Sequence, residues 1–447
     1  MVMVKYIFLA LHATLLASIA ALVNKRVSEP YMQEKAQRYC EGDYRSWDPK
    51  LTTPPGLYVI SNIIIILPFL NCSTSILRAI NLGFALGLYL VIWRILARLH
   101  PYQNDYVRSF NAFTLSLFPV GWFYNFLYYT DSGSTFFVLL AYLMAIEKKI
   151  KISALMATAS IFFRQTNVIW LLFILGVSIV NALSDTKKNQ KSDENKQLLI
   201  VKAINIDSLE QSFQQIANFI QLALQNIIFL LKSFFPFLLS LIGFTIFLKW
   251  NDGVVLGDKS NHIARMHFPQ IFYFVCFTFG FGSPLVFRFS NFNLMPDFVN
   301  IRSPGYEHPF LLSDNRHYTF YVWKNIYRRH VSVKYLLIPV YVILIKILWV
   351  ALANNQSFLW ILIYTAGTCL SLIPSPLLEF RYFIIPFFIY RLHIRQPTTS
   401  TTITPELQHL VLEFLLYACV NIVTGILFLW RPFVWEQEEG KLQRFMW

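Results

Sequence analysis

Residues 76–98, ILRAINLGFALGLYLVIWRILAR, decide the fold of this chain. A helix crosses a bilayer core of about 30 Å with about 20 mostly apolar residues, so this run predicts a membrane-spanning α-helix. Comparable runs recur, and we expect spans near 5–23, 76–98, 109–127, 133–146, 153–163, 167–182, 226–249, 270–288, 334–352, 357–373, 380–391 and 408–430. The predicted fold class is therefore all-α, a polytopic membrane protein with about 11 to 13 transmembrane helices, the shorter ones packed inside a bundle.

The composition supports a membrane protein and argues against a nucleic-acid binder. Of the 447 residues, 56% are hydrophobic and 14% charged, whereas a soluble domain carries about a quarter charged residues. The net charge of +14 comes from Lys and Arg in short loops, where they set orientation and meet anionic membrane lipids. We expect one integral domain over 1–447, with 24–75 as its first outer loop and 183–225 as a cytoplasmic loop with an amphipathic segment.

The five cysteines form no CxxC pair, so the sequence predicts neither a metal site nor a cofactor. Cys40 and Cys72 flank one loop, and a disulfide between them is an option if that loop lies on the oxidising side. The apolar run 6–23 has no small-residue cleavage site after it, which favours an uncleaved first helix over a signal peptide.

Basic segments predict the orientation. Residues 147–151, 185–196 and 391–395 are rich in Lys and Arg and are expected in the cytoplasm. Counting crossings from them places 99–108 in the cytoplasm and Asn71 on the outer side, although Lys25-Arg26 opposes this orientation. The apolar piece 57–70 is then a re-entrant or interfacial helix within the first outer loop.

Six polar segments fall on the outer side in this count, and they carry most of the chemically active side chains. They are 24–75, 128–135, 163–167, 251–270, 313–324 and 377–382. Within the first, WDPKLTTPPGLY (47–58) is polar, and its Pro54-Pro55 pair fixes the backbone dihedral φ and removes two donors. We expect the six segments to converge on one face and form a site.

Two arginines interrupt apolar runs within these segments. Arg164 in FFRQTN is either a loop residue that snorkels to water or a cation for a phosphate or sugar ligand. Arg381 in LLEFRYF either forms an ion pair with Glu379 at a helix end or binds a phosphate while Glu379 orients it.

Three other segments suit a polar ligand, although hydrated loops and interfacial aromatic belts use the same residue types. His262 and His267 are five residues apart, which does not place them on one helical face, and no HExxH motif is present. Arg316, His317 and Tyr318 lie among aromatics in DNRHYTFYVWK, and Asp131 lies in YYTDSGS. Aromatic rings beside hydrogen-bonding groups suit sugars.

The chain has no P-loop, GxGxxG, GxSxG or DxD-like motif, which argues against a nucleotide or nucleotide-sugar donor. Cations, aromatics and a few carboxylates on one membrane face suit transfer from a lipid phosphate. Such a reaction needs positive charge at the leaving phosphate and a carboxylate base at the acceptor hydroxyl.

Several long strings, in order, resemble the family of α-1,2-glucosyltransferases that add the last glucose to the dolichol-linked oligosaccharide for N-glycosylation. They are EPYM, QRYCEGDYRSWDPKLTTPPGLY, NFLYYTDSGS, FRQTNVIW, GDKSNHIARMHFPQIFYF, LLSDNRHYTFYVWK, LLEFRYFIIPFFIYRL and RFMW. The resemblance implies a GT-C-type protein of the endoplasmic reticulum membrane with luminal loops forming the active site. The implied reaction is inverting and metal-free, with dolichyl phosphate glucose as donor and the diglucosylated dolichol-diphosphate oligosaccharide as acceptor.

On this reading each candidate residue has an expected role. Asp48 or Glu34 is the catalytic base, and Arg164, Arg316 and Arg381 bind the phosphate. The expected sugar contacts are Trp47, Asp131, His262, His267, His317 and Tyr318.

The sequence departs from the family pattern in two places. After Met32 the family continues with Asp-Glu-Ile-Phe-His, whose Asp is the natural base, and this chain reads Gln-Glu-Lys-Ala-Gln (33–37). Between Pro284 and Leu311 the family has an additional apolar span, whereas this chain has polar sequence. Without that span the crossing count no longer places 314–324 on the luminal side. Either the coding sequence is misassembled or the protein is a degenerate member, and we expect weak or no transfer because losing a base costs about 10²–10⁴-fold in rate.

Two alternatives come from other functional classes. A transporter is expected to show internal repeats and ionisable residues in mid-span, and neither is visible in the sequence. A catalytically impaired member that serves as a membrane partner or regulator would lack the catalytic acid of the family, and the Asp after Met32 is absent from this chain.

The predicted orientation can be tested at the two glycosylation sequons, Asn71-Cys-Ser and Asn355-Gln-Ser. Because only luminal sequons are modified, Asn71→Gln should abolish a glycosidase-sensitive gel shift and Asn355→Gln should leave it unchanged. A shift that depends on Asn355 would invert the topology.

Overall fold

The apolar runs form α-helices almost throughout. The computed structural model describes residues 2–27, 38–44, 51–65, 71–186, 199, 201–206, 208–257, 259, 266–286, 315–330, 332–375, 377–394, 405–434 and 442–447. In this part of the chain the strands are two residues long, β1 (Phe433–Val434) and β2 (Leu442–Gln443), paired antiparallel. The predicted all-α class is confirmed.

The helices are α1 (Val2–Arg26), α2 (Gly56–Ile65), α3 (Thr74–Leu99), α4 (Asp105–Ser116), α5 (Pro119–Tyr124), α6 (Asp131–Ile146), α7 (Ile150–Phe163), α8 (Val168–Thr186), α9 (Leu209–Gln225), α10 (Ile227–Ser233), α11 (Phe235–Asn251), α12 (Pro269–Val286), α13 (Tyr318–Val322), α14 (Val333–Ala353), α15 (Phe358–Leu372), α16 (Ile384–His393) and α17 (Pro405–Trp430). Short 3₁₀ turns cover Gln165–Asn167, Ala203–Asn205 and Phe380–Phe383, and a π-helical turn covers Trp323–Tyr327.

Six helices of the described part are long and apolar enough to cross a membrane alone: α1, α3, α8, α12, α14 and α17. A further five apolar helices, α2, α6, α7, α11 and α15, have 10 to 17 residues. The polytopic architecture is confirmed, and the number of about 11 to 13 spans stays a prediction for the shorter helices. At 10 residues, α2 is too short to cross, as expected for the piece 57–70.

Two predicted spans are not continuous. The run 109–127 is divided between α4 and α5, and the run 226–249 between α10 and α11. Pro119 and Pro236 stand in the first turn of the second helix in each case. Proline has no N–H to donate and disfavours helical backbone at the residue before it, so each run breaks there. A further 77° bend separates α9 from α10.

The option of a disulfide in the first outer loop is confirmed, because Cys40 and Cys72 are bonded with an S–S distance of 2.03 Å. The bond ties the turn at 38–42 to the start of α3. It therefore anchors one described piece of the loop beside the entry to a membrane-spanning helix.

Two glycines let neighbouring helices approach the carboxyl end of α7. A Cβ on Gly133 of α6 would lie 2.2 Å from the Phe163 ring, and one on Gly56 of α2 would lie 2.4 Å from the Phe162 carbonyl oxygen. Any side chain at either position would push its helix away. The contacts bring the first turns of α2 and α6 against Phe162 and Phe163, the two residues that precede Arg164.

The segments predicted to be cytoplasmic meet at another polar cluster. Glu147 accepts hydrogen bonds from Arg94 at 2.6 Å and from Arg98 at 3.0 Å. His100 Nε2 lies 2.9 Å from the Leu392 carbonyl oxygen. Segments 99–108, 147–151 and the described part of 391–395 therefore adjoin one another, as expected.

Arg391, the first residue of the basic segment 391–395, is buried inside the fold. It lies in the last turn of α16, is fully buried, and donates to both carboxylate oxygens of Glu413 at 2.7 and 2.6 Å. It also donates to Asn111 Oδ1 at 3.1 Å. Glu413 lies near the start of the predicted span 408–430, so the pair joins the ends of two predicted spans, 380–391 and 408–430.

Removing one partner of this pair should destabilise the fold strongly. Glu413→Ala leaves a buried guanidinium without its counter-charge, which typically costs about 3–5 kcal/mol. The detergent-solubilised variant should unfold at a clearly lower temperature. The double variant Arg391→Met/Glu413→Leu should recover most of that loss.

Arg98→Ala is the control, since its side chain is half exposed and surface pairs contribute at most about 1 kcal/mol. An equal loss for Arg98→Ala and Glu413→Ala would contradict the assignment of the buried pair as a main stabilising contact.

Candidate active site

The first element of the site is an ion pair between two helix ends. Arg164 follows α7 and Asp131 begins α6, and Arg164 Nη1 donates to Asp131 Oδ1 at 2.6 Å. Both side chains are largely buried, with 14% and 2% exposed. The second oxygen, Asp131 Oδ2, is shielded from solvent and has no hydrogen-bond partner among the residues that the structure describes. The carboxylate therefore holds the arginine with one oxygen and keeps the other available.

The turn after Arg164 is fixed by its amide side chains. Asn167 Nδ2 donates to Ser134 Oγ and to the Ser160 carbonyl oxygen, each at 2.8 Å. Gln165 Nε2 donates to the Thr52 carbonyl oxygen at 2.7 Å. These bonds attach the described end of the 47–58 segment to the turn that carries Arg164.

A second arginine lies across one aromatic ring from the first. Arg381 is hydrogen-bonded to Glu379, which confirms the pairing in LLEFRYF. The guanidinium carbons of Arg164 and Arg381 lie 5.2 and 5.9 Å from the centroid of the Tyr382 ring. Cations are attracted to the face of an aromatic ring, so Tyr382 keeps two like charges close together.

Glu379 is suited to hold a cation and poorly suited to accept a proton. Burial acts to raise its pKa, but Arg381 foremost, with His317 and Arg164, lowers the pKa to about 2. A general base works best with a pKa near the operating pH. Glu379 thus stays ionised at neutral pH and fixes the orientation of Arg381.

Residues 315–318 contact the segment 442–447. The Trp447 carbonyl oxygen accepts from Tyr124 Oη at 2.6 Å and from His317 Nδ1 at 2.9 Å. The Tyr318 backbone N–H donates to the Met446 carbonyl oxygen at 3.1 Å. Arg316 Nη1 donates to Gln443 Oε1 at 3.2 Å. His317 and Tyr318 therefore lie on the same side as Glu379, whereas the described side-chain bond of Arg316 is with β2.

His267 lies beneath the loop that leads to Glu379. It is 3% exposed, and its backbone N–H donates to the Ile373 carbonyl oxygen at 2.9 Å. Gln270 Nε2 donates to the Leu377 carbonyl oxygen at 2.7 Å and lies 3.4 Å from His267 Nδ1. These two residues support the loop from below.

All six predicted outer segments have described residues in this set of contacts, so the expected convergence on one face is confirmed. Glu34, Trp47, Asp48 and His262 lie outside the described residues, as does most of the second departure, 284–311. Sequence reasoning missed Tyr124, Tyr382 and Trp447. The only sequence signal for the last two was their place in the strings LLEFRYFIIPFFIYRL and RFMW.

An apolar groove of about 520 Å³ lies beside the ion-pair cluster, between α7 and α11. Leu155 and Phe162 of α7 face Leu239 and Phe247 of α11 across it. Gln165, the residue after Arg164, lines the same groove. The apolar groove thus reaches the residue next to Arg164.

Comparison with known proteins identifies relatives over the whole length. The model of the DIE2/ALG10 family matches residues 27–392. A rat and a human protein, each named Dol-P-Glc:Glc(2)Man(9)GlcNAc(2)-PP-Dol alpha-1,2-glucosyltransferase, are 36% identical to the chain, covering 99% of it and 98% of their own length. An Arabidopsis thaliana protein of the same name is 33% identical over 96% of this chain and 97% of its own.

No solved structure matches the chain. The alignment with the rat protein extends over 480 positions, more than the 447 residues of this chain, so that relative carries residues that are absent here. The family resemblance of the sequence motifs is confirmed, and the chain belongs to the DIE2/ALG10 family.

Proposed function

We propose that this protein transfers glucose from dolichyl phosphate glucose to Glc₂Man₉GlcNAc₂-PP-dolichol, forming the terminal α-1,2 linkage at the luminal face of the endoplasmic reticulum membrane. The observation that carries the proposal is the pair of carboxylate-held arginines beside an apolar groove. The names of the full-length relatives supply the substrates.

The reaction is a single displacement at the sugar carbon. The acceptor hydroxyl oxygen attacks C1 of glucose as the bond from C1 to the phosphate oxygen breaks, and its electron pair leaves with dolichyl phosphate. Attack from the opposite face inverts a β-linked donor into an α-linked product. The negative charge that grows on the leaving phosphate needs preorganised donors, and Arg164 and Arg381 supply them.

The groove between α7 and α11 accounts for the lipid part of the donor. Its lining is almost entirely apolar, and Gln165 adjoins Arg164 at its polar end. A prenyl chain in the groove would bring its phosphate toward the two arginines.

Asp131 is placed to receive the acceptor. Its Oδ2 is the free oxygen of a carboxylate whose Oδ1 already holds Arg164. We propose that Asp131 Oδ2 accepts a hydrogen bond from a hydroxyl of the acceptor sugar, and that His317 and Tyr318 are further sugar contacts. Trp47 and His262 keep this role as proposals, whereas His267 acts by holding the loop 373–377.

The base is assigned to the first outer loop. Asp48 precedes Thr52 by four residues, and the Thr52 carbonyl oxygen is bonded to Gln165. We therefore propose Asp48 as the proton acceptor for the attacking hydroxyl, with Glu34 as the alternative.

A non-catalytic membrane partner is the second candidate function. The absence of the Asp-Glu-Ile-Phe-His stretch after Met32 favours it, since such a protein needs no base. The transporter alternative is not supported by the Arabidopsis and rat relatives, which are named glucosyltransferases.

Expression in cells that lack the final glucosyltransferase separates the candidates. Lipid-linked glycans are released and sized, and the expected product is the triglucosylated species. The chain as it stands should give little of it, and reinsertion of Asp-Glu-Ile-Phe-His after Met32 should raise the yield about 10²–10⁴-fold. If neither form makes the product, glucosyl transfer is wrong and the partner role remains.

The arginines can be tested in whichever form shows transfer. Arg381→Ala should lower the transfer rate about 10²–10³-fold, because one preorganised donor to the leaving phosphate is lost. Arg98→Ala, at the opposite polar cluster, should change the rate by less than about twofold. Equal rates for Arg381→Ala and the unaltered chain, at equal protein level, would exclude Arg381 from the phosphate site.

A further inference from the structure

Two hydrogen-bond donors beside the ion-pair cluster are buried without partners. Tyr318 Oη and Trp447 Nε1 are both shielded from solvent and bonded to nothing in the described part of the chain. Their rings are in contact, with centroids 5.1 Å apart and planes at 68°. A buried donor without an acceptor typically costs about 1–3 kcal/mol, so two at one place indicate a missing ligand.

The segment that carries Trp447 is firmly held. Arg444 is 4% exposed and donates to the carbonyl oxygens of Phe428 and Arg26, each at 2.9 Å. The Met446 N–H donates to the Arg316 carbonyl oxygen at 2.9 Å. These bonds fix the backbone of the segment immediately before Trp447.

The position of Trp447 relates the two donors to the phosphate site. Its ring lies 5.7 Å from that of Phe380, the residue between Glu379 and Arg381. Its carbonyl oxygen is bonded to Tyr124 and His317. The donors therefore adjoin the loop that presents Arg381, where a sugar linked to the bound phosphate would lie.

We propose that the Tyr318 hydroxyl and the Trp447 indole N–H form a glucosyl-binding subsite, donating to hydroxyl groups of the sugar. The inference rests on the proposed function and names two contacts within its site. Burial raises the pKa of Tyr318 to about 12, so its hydroxyl keeps its proton at neutral pH. An indole N–H only donates, whereas a sugar hydroxyl accepts as well as donates, so the two groups are complementary.

Binding measurements on the purified full chain test the subsite without requiring transfer. The probes are a short-chain prenyl phosphate, the same compound bearing glucose, and a soluble α-linked diglucoside that mimics the end of the acceptor. The variants Trp447→Phe and Tyr318→Phe each remove one donor and keep the ring. Trp250→Phe and Tyr102→Phe are the controls, at positions 81% and 90% exposed.

Each variant should weaken binding of the glucosylated prenyl phosphate about 2- to 12-fold, the effect of one neutral hydrogen bond. Binding of the bare prenyl phosphate should not change, and the melting temperature should not fall, because each variant removes a buried donor that has no partner in the described structure. The same selective loss confined to the diglucoside would support the subsite and assign it to the acceptor glucose.

Two results would overturn the subsite. If glucose strengthens binding to the unaltered chain and both variants keep the full gain, the subsite is wrong and the proposed function stands. A second result is that the glucosylated prenyl phosphate binds no more tightly than the bare one and the diglucoside does not bind. The subsite and the glucosyl donor of the proposed function then both fail.

Discussion

The Asp131–Arg164 ion pair is the contact on which the rest of the site depends. A buried guanidinium requires a compensating charge, and Asp131 supplies it from the first turn of a neighbouring helix. The approach is possible because Gly133 lets α6 pack against the Phe163 ring. Once Arg164 is fixed, Tyr382 and then Arg381 have defined positions beside it. One pair of side chains thus sets the spacing of two cations on the membrane face.

The same requirement operates at the other polar cluster, where Arg391 is buried with Glu413. Between the clusters the contacts are aromatic, as in the stacking of Phe118 on Phe387 with centroids 4.4 Å apart. Both clusters therefore pair a buried arginine with a carboxylate, and stacked rings lie between them. Such an arrangement keeps a site rigid while most of the surface contacts lipid.

Span positions followed from the sequence because apolar length is a local property. The breaks before Pro119 and Pro236 also have a local cause. We did not predict them because the apolar residues on both sides of each proline form one long hydrophobic run. Burial of Arg391 was not predictable in this way, because its partners Glu413 and Asn111 lie on other helices, 22 and 280 residues away. Trp447 was missed for the same reason, since its bonds to Tyr124 and His317 join distant segments.

The electrostatics of the site also determine where a base has to come from. Glu379 is committed to Arg381, and its pKa of about 2 makes it a weak proton acceptor. Asp131 shares its charge with Arg164 and has one free oxygen, which suits it to orient a hydroxyl. Among the described residues, both carboxylates beside the two arginines are thus already bonded to an arginine. The proposed transfer therefore takes its base from the first outer loop, where Glu34 and Asp48 are the candidates in the sequence and the Asp-Glu-Ile-Phe-His stretch is absent.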